Sequence, residues 1–157
     1  MLDNFFGLHA KSFEYTGCDL MQTFLGMEVE PKNEKIQLHH NTYIHEVSDD
    51  YKAVIKKDLK PKQVPMQPGV ILTHDDCPET PDPNELKLYC SCLEKVLFAG
   101  QWIRYDVSFA TSQLAKFFSS AGPSHWAALY HLMGYLSYQS SFILAYHRST
   151  GSVRHWT

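Results

Sequence analysis

The sequence predicts an α+β fold in which a small β-hairpin region is followed by a bundle of helices. Between residues 24 and 38, apolar and polar side chains alternate in two short runs separated by turn residues, which is typical of paired strands. Beyond residue 84, three stretches repeat apolar residues every three or four positions, which is typical of helices packed on one face. The 44% hydrophobic and 13% aromatic content indicates a folded chain.

The first segment, residues 1–59, begins with a short helix and a hairpin. The helix is predicted to end near Ser12, because Leu2, Phe5, Phe6 and His9 recur at helical spacing. The first strand of the hairpin covers residues 24–30 and the second covers residues 35–38. The residues expected to form the loop between them are Pro31, Lys32, Asn33 and Glu34.

A longer helix completes this first segment. Asn41 or Thr42 is the expected N-cap, and the helix ends before Pro61. One face carries an apolar stripe that is expected to enter the core, formed by Tyr43, Ile44, Val47, Tyr51 and Val54.

Residues 60–84 are predicted to be a connector, and residues 85–157 a helical region. The connector carries Pro61, Pro65, Pro68, Pro78, Pro81 and Pro83, which remove backbone donors too often for regular structure. Three helical patterns follow, at residues 86–97, 107–118 and 126–136. Ser124 is the expected N-cap of the last helix, and residues 142–146 are a predicted closing strand.

The net charge of −3 argues against a basic protein held on nucleic acid by its whole-molecule charge. Residues 1–84 carry eight of the 14 Lys and Arg residues but 14 of the 17 Asp and Glu residues. The remaining half is therefore net positive, and any surface for a polyanion is expected there.

No segment predicts export or a membrane span. The N-terminus lacks a basic and then continuously apolar signal, and no apolar run approaches the length that crosses a bilayer. Four cysteines without a secretory signal are expected to be reduced thiols, which indicates an intracellular protein. Both ends of the chain interrupt helical or turn patterns, so a piece of a longer protein is expected.

No metal site or catalytic residue is expected from spacing. The possible metal ligands do not form two ligand pairs at zinc-site separation, and they comprise His39, His40, His45, His74, Cys77, Cys90 and Cys92. The acidic pairs Asp49-Asp50 and Asp75-Asp76 are expected to be solvated charge. No glycine-rich phosphate loop and no nucleophile elbow occurs.

The order of several short motifs resembles the C-terminal part of the reverse transcriptase of copia-type (Ty1/copia) retrotransposon polyproteins. The segments that carry this resemblance run from Phe13 to Tyr146 and are Phe13-Glu14 with Thr16, residues 24–29 (F-L-G-M-E-V), residues 36–38 with Tyr43-Ile44, Pro65-Met66 with residues 68–70, residues 97–99, Arg104 with residues 106–110, His125-Trp126, and residues 134–136. Each motif alone is weak, and their shared order makes the resemblance specific.

The resemblance implies that residues 1–59 are the end of the palm with a primer-grip-like hairpin, and that residues 85–157 are thumb and connection helices. Nucleic acid would then be contacted by Phe24, Leu25, Gly26, Met27, Arg104, Lys116, His125 and Trp126. The implied partners are an RNA/DNA primer-template and the remaining polyprotein, with its palm and RNase H. The polymerase aspartates, which would hold Mg²⁺, are expected before Met1 and the RNase H carboxylates after Thr157, so no catalysis is expected from this chain.

Several positions depart from the family pattern, and they favour weak binding by a remnant. Tyr105 replaces a proline, Glu94 replaces a glycine, and Gly134 replaces an arginine. By resemblance the location is the cytoplasm or the nucleus. The alternative is a small protein-interaction or self-associating fragment that uses an aromatic face of Trp102, Phe117, Phe118, Trp126 and Tyr130.

Overall fold

A computed structural model describes residues 22–32 and 35–147, which form a mixed α+β fold as predicted. The strands are β1 (Thr23–Phe24), β2 (Met27–Lys32), β3 (Lys35–His39) and β4 (Ile143–His147). The helices are α1 (Asn41–Ile55), α2 (Pro83–Trp102), α3 (Ser108–Ala115) and α4 (Pro123–Tyr138), with 3-10 turns at His74–Asp76 and Tyr105–Val107. The helix predicted near Leu2–Ser12 lies outside the described residues.

The four strands form one antiparallel sheet in the order β1-β2-β3-β4. The β2–β3 hairpin is confirmed, but Pro31 and Lys32, predicted to be loop residues, belong to β2. Pro31 is tolerated there because β1 pairs only with Met27 and Glu28, so within residues 22–32 and 35–147 no strand pairs with residue 31 on the β1 side. The closing strand is confirmed, with Leu144 opposite Leu38.

Helix α1 is confirmed, but neither predicted cap forms. The N-cap residue is His40, which makes no side-chain capping bond. A glutamate from β2 supplies the acceptor, since Glu28 Oε1 accepts from the backbone N–H of Thr42 at 2.9 Å. A carboxylate beside a helix N-terminus also interacts favourably with the helix dipole. The sheet and α1 are therefore joined at the start of the helix.

The core lies among the four helices. The α1 stripe is confirmed, because Ile44, Val47 and Tyr51 are buried while Tyr43 and Val54 are half-buried. The other helices contribute further buried side chains, chiefly Tyr89, Leu93, Val96, Ala110, Leu114, Leu129, Leu132, Met133 and Leu136. Burying each large aliphatic side chain contributes about 1.5–3 kcal/mol, so this cluster holds the helices together.

Residues 56–82 join α1 to α2 and lie against α4. The hydroxyl of Tyr130 donates to the carbonyl oxygen of Asp58 at 2.9 Å, and Nε2 of His131 lies 3.0 Å from the carbonyl oxygen of Val64. A Cβ atom at Gly134 would overlap the carbonyl oxygen of Lys60. Glycine at this position therefore allows the connecting segment to touch the helix backbone.

Helix α4 begins differently from the prediction, because Gly122 and not Ser124 is its N-cap residue. Pro123 occupies the first turn, where a missing N–H costs nothing. The backbone N–H of Gly122 donates to Nδ1 of His125 at 2.9 Å, so the side chain that satisfies this end comes from within the helix.

No helix in the described part of the chain is long and apolar enough to cross a membrane.

Candidate nucleic-acid interface

The segment Phe24-Leu25-Gly26-Met27 forms the turn between β1 and β2. Phe24 pairs with Met27, and the two residues between them have positive φ, 50° at Leu25 and 78° at Gly26. Positive φ at both central positions is the type I′ geometry of tight hairpins. The apolar run that was predicted to begin a strand is therefore divided by a turn.

This turn exposes apolar side chains. Phe24 is 47% exposed and Leu25 is 52% exposed, whereas Met27 is buried. A β-carbon in left-handed backbone costs roughly 1–2 kcal/mol, so leucine at residue 25 is conformationally unfavourable as well as exposed. Because backbone strain is often found at functional sites, the strained and exposed Leu25 indicates a functional role for this turn.

Packing fixes the turn on helices α1 and α2. A Cβ at Gly26 would lie 3.7 Å from the ring of Phe98, so the backbone there contacts α2 closely. The Phe98 ring stacks on His40 with centroids 5.8 Å apart and meets Tyr43 edge-on at 5.3 Å. The Tyr43 hydroxyl donates to the Lys95 carbonyl at 3.0 Å. The turn is therefore supported from below by these packed rings, and the Leu25 side chain points away from them into solvent.

Two glutamates on β2 flank a buried histidine on β3. Nδ1 of His39 lies 3.5 Å from Glu28 Oε2, and Nε2 lies 3.3 Å from Glu30 Oε1. The register places Glu28 opposite His39, and the same Glu28 caps α1. Glu28 was not predicted as an important residue, because its partners come from another strand and a helix start.

The ring of His40 is fully buried, and neither ring nitrogen has a hydrogen-bond partner among the described residues. Burial lowers the pKa of His40; Glu28 opposes this shift and His39 adds to it. Burial also lowers the pKa of His125.

These two pKa shifts predict that the protein is less stable at pH 5 than at pH 7. The unfolded chain takes up protons at the ordinary histidine pKa of about 6.5 before the folded chain does, so stability is lost as pH falls through that value. Urea unfolding at both pH values measures the difference. His40→Gln is expected to reduce it, with His45→Gln on the exposed face of α1 as the matched control. An unchanged pH difference in His40→Gln would contradict the role of this ring.

Arg104, predicted to contact nucleic acid, lies inside the protein. Its guanidinium donates twice to the carboxylate of Asp106, at 3.0 and 2.8 Å, and once to the carbonyl of Gln139 at 2.8 Å. Tyr135 donates to the same carboxylate at 2.6 Å. Burial alone raises the pKa of Asp106, but the bonds from Arg104 and Tyr135 outweigh it and hold that pKa below its usual value. The geometry gives Arg104 a structural role.

Three other predicted site residues lie on α4 or just after α3. His125 is buried against Phe117, with ring centroids 3.8 Å apart. Trp126 is half-buried and meets the Tyr89 ring edge-on at 5.4 Å. Lys116 is exposed, and its Nζ donates to the side chain of Gln113 at 2.8 Å. The structure thus leaves Phe24, Leu25, Gly26 and Lys116 accessible and places the other four predicted residues partly or wholly in the interior.

The residues considered as metal ligands are dispersed. Cys77 Sγ lies 3.7 Å from His74 Nδ1, and no group of three possible ligands occurs among residues 22–32 and 35–147. In the acidic pair on α1, Asp49 pairs with Lys52 at 2.8 Å and Asp50 with Lys95 at 2.6 Å. Both aspartates are therefore balanced by lysines at the surface.

The chain is 27% identical over 132 residues to the Retrovirus-related Pol polyprotein from transposon TNT 1-94 of Nicotiana tabacum. The alignment covers 81% of this chain and 10% of that polyprotein. The similarity supports an origin in a retrotransposon polyprotein. No protein-family model and no solved structure matches the chain. The chain therefore spans about a tenth of the length of the polyprotein that it resembles.

Proposed function

We propose that this chain is a non-catalytic fragment of a copia-type reverse transcriptase that holds primer-template through the β1–β2 turn. The observation that carries the proposal is the turn itself, where Leu25 combines positive φ with 52% exposure. Its sequence is the part that resembles the family's primer grip. The similarity to a transposon Pol polyprotein supports the same origin.

The turn suits contact with the end of a nucleic-acid strand. Phe24 and Leu25 offer apolar surface to sugar and base, and Gly26 lets the chain turn at positive φ so that both side chains are exposed. Contacts with the sugar and with the face of a base position a strand without reading its sequence, because every base has a similar face. The Phe98 ring, which packs on His40 and Tyr43, lies against the turn at Gly26, so little ordering is needed when a strand binds.

In this proposal the chemistry belongs to other parts of the polyprotein. A palm would supply the Mg²⁺-binding carboxylates for polymerisation, and RNase H would supply its own set. The fragment contributes placement of the primer end, so its activity in isolation is binding alone.

Replacing Leu25 with Asn is expected to stabilise the fold and weaken primer-template binding. Asparagine tolerates positive φ and forms type I′ turns before glycine, so the free energy of unfolding should rise by about 1 kcal/mol. Loss of the apolar side chain should raise the Kd by roughly fivefold, equivalent to about 1 kcal/mol. Urea unfolding measures the first effect, and fluorescence anisotropy with a labelled DNA primer on an RNA template measures the second.

Leu88→Asn is the matched control, because Leu88 is 39% exposed on α2 and away from the turn. It should lower stability by about 1 kcal/mol, through helix propensity and the loss of a partly buried apolar side chain, and leave binding unchanged. Equal binding by wild type and Leu25→Asn, or no binding by wild type, would overturn the proposal.

A second candidate is binding of a protein partner or of a second copy. Ile71 is 83% exposed and Phe109 is 68% exposed beside a cavity of about 230 Å³ that Met66 and Val70 also line. In the aromatic face predicted for this role, Phe117 is buried and Trp102 is exposed. The remaining three residues, Phe118, Trp126 and Tyr130, are half-buried. Light scattering that shows a mass rising with concentration would favour this candidate.

A further inference from the structure

Four lysines follow α1 within seven residues. They are Lys56, Lys57, Lys60 and Lys62, and Asp58 is the one acidic residue among them. None of the four makes an ion pair with a residue that the structure describes, in contrast to Lys52 and Lys95. We call residues 56–62 the lysine segment. Its local charge is positive in a chain whose net charge is −3.

The lysine segment was not predicted from the sequence, because charge was averaged over half of the chain. Of the six cations in the net-positive half, Arg104 is buried with Asp106, Lys95 pairs with Asp50, and Arg148 and Arg154 lie outside the described residues. The other two, Lys87 and Lys116, are exposed but lie far apart in the sequence. A count over a window of seven residues would have found the lysine segment.

The lysine segment is fixed on α4. The Tyr130 hydroxyl binds the Asp58 carbonyl, and Nζ of Lys57 lies 5.2 Å from the centre of the Tyr130 ring. The Lys60 backbone lies directly against Gly134. Because the backbone is held at these points, the lysines present their charge from a defined surface and not from a solvated tail.

Stabilisation of the α1 C-terminus explains only part of the cluster. Cations near a helix C-terminus interact with its partial negative charge, but the effect is confined to the last turn. Lys56 directly follows the last residue of α1, whereas Lys60 and Lys62 lie four and six residues further along the chain. The helix terminus therefore does not account for the positions of these two lysines.

We propose that the lysine segment binds the phosphate backbone of nucleic acid, separately from the β1–β2 turn. The inference rests on the proposed function for its choice of polyanion. A membrane surface fits less well, because stable anchoring needs an apolar contact in addition to charge, and the apolar face of α1 is buried in the core. The turn adjoins the start of α1 and the lysine segment follows its end, so about 22 Å of helix separates the two contacts.

The triple variant Lys56→Gln, Lys60→Gln, Lys62→Gln tests this proposal. Lys57 is kept because it packs on Tyr130. Anisotropy with the labelled DNA primer on its RNA template is measured between about 50 and 200 mM salt. The slope of log K against log salt should become shallower by about two to three, because each lost contact to a duplex phosphate removes about 0.9. Affinity at low salt should fall tenfold or more.

The matched control is Lys32→Gln, Lys35→Gln, Lys87→Gln, which removes the same charge at exposed positions outside the lysine segment. This control should keep most of the wild-type slope of log K against log salt. Urea unfolding checks that both triple variants fold. If the two triple variants bind alike, the lysine segment has no special role, and the turn proposal is still judged by Leu25→Asn.

Three other outcomes are decisive. Loss of binding in the lysine variant but not in Leu25→Asn supports the lysine segment and overturns the role of the turn. Absence of nucleic-acid binding by wild type overturns both proposals. Binding to phosphatidylserine vesicles in place of nucleic acid, lost in the lysine variant, overturns the choice of partner.

Discussion

Replacing Arg104 with Met is expected to lower the free energy of unfolding by about 3–5 kcal/mol, because it leaves the partly buried carboxylate of Asp106 without its cation. The Arg104 side chain is 1% exposed and that of Asp106 is 21% exposed. The substitution also removes the bond to the carbonyl of Gln139 and the contacts of the guanidinium with the Tyr135 and Phe142 rings. Urea unfolding followed by tryptophan fluorescence measures the loss.

Lys95→Met is the matched control, because it makes the same change of cation to Met in an exposed ion pair. The side chains of Lys95 and Asp50 are 40% and 64% exposed, and such pairs contribute about 0–1 kcal/mol. The large difference between the two variants is expected because water replaces a lost partner at Asp50 but has little access to Asp106. Equal losses in the two variants would show that the Arg104 pair is not structurally important.

Arg104 shows why the site was harder to predict than the fold. A basic residue in a motif of a nucleic-acid-binding family predicts a phosphate contact, and nothing nearby in sequence places Tyr135 and Gln139 around it. The same holds for His125, which accepts a hydrogen bond from the backbone N–H of Gly122 at the start of α4 and packs on the Phe117 ring. Burial depends on which elements pack together, and local sequence carries little of that information.

The helices and the hairpin were predictable because their signals are local. Ile44, Val47 and Tyr51 repeat with the period of one helix face, and that face is buried. The β1–β2 turn was missed because Leu25 is an unusual residue at positive φ, where Asn or Gly is the ordinary signal. The cap of α1 was missed because Glu28 reaches it from another element.

The second large effect is expected at Gly122, where Ala should lower the free energy of unfolding by about 1–3 kcal/mol through overpacking. The backbone there, with φ −106° and ψ −174°, suits any residue, so glycine is not needed for its conformation. A Cβ atom would overlap the carbonyl oxygen of Asp76, a backbone atom that can move only with its 3-10 turn. That turn is held in place by the His74 ring, which packs on Phe117 with centroids 4.9 Å apart.

Gly69→Ala separates this steric cause from the usual cost of replacing glycine. Gly69 has φ 80°, but no atom lies within 4 Å of the position that an added Cβ would take. The free energy of unfolding of Gly69→Ala should therefore fall by about 1 kcal/mol, from the cost of the backbone conformation alone. At Gly122 the cause is contact, and the damage should spread to the residues that move. Hydrogen exchange at residues 74–77 should accelerate in Gly122→Ala and stay unchanged in Gly69→Ala. A Gly122→Ala protein as stable as wild type, with unchanged exchange there, would mean that the connector does not lie against the start of α4.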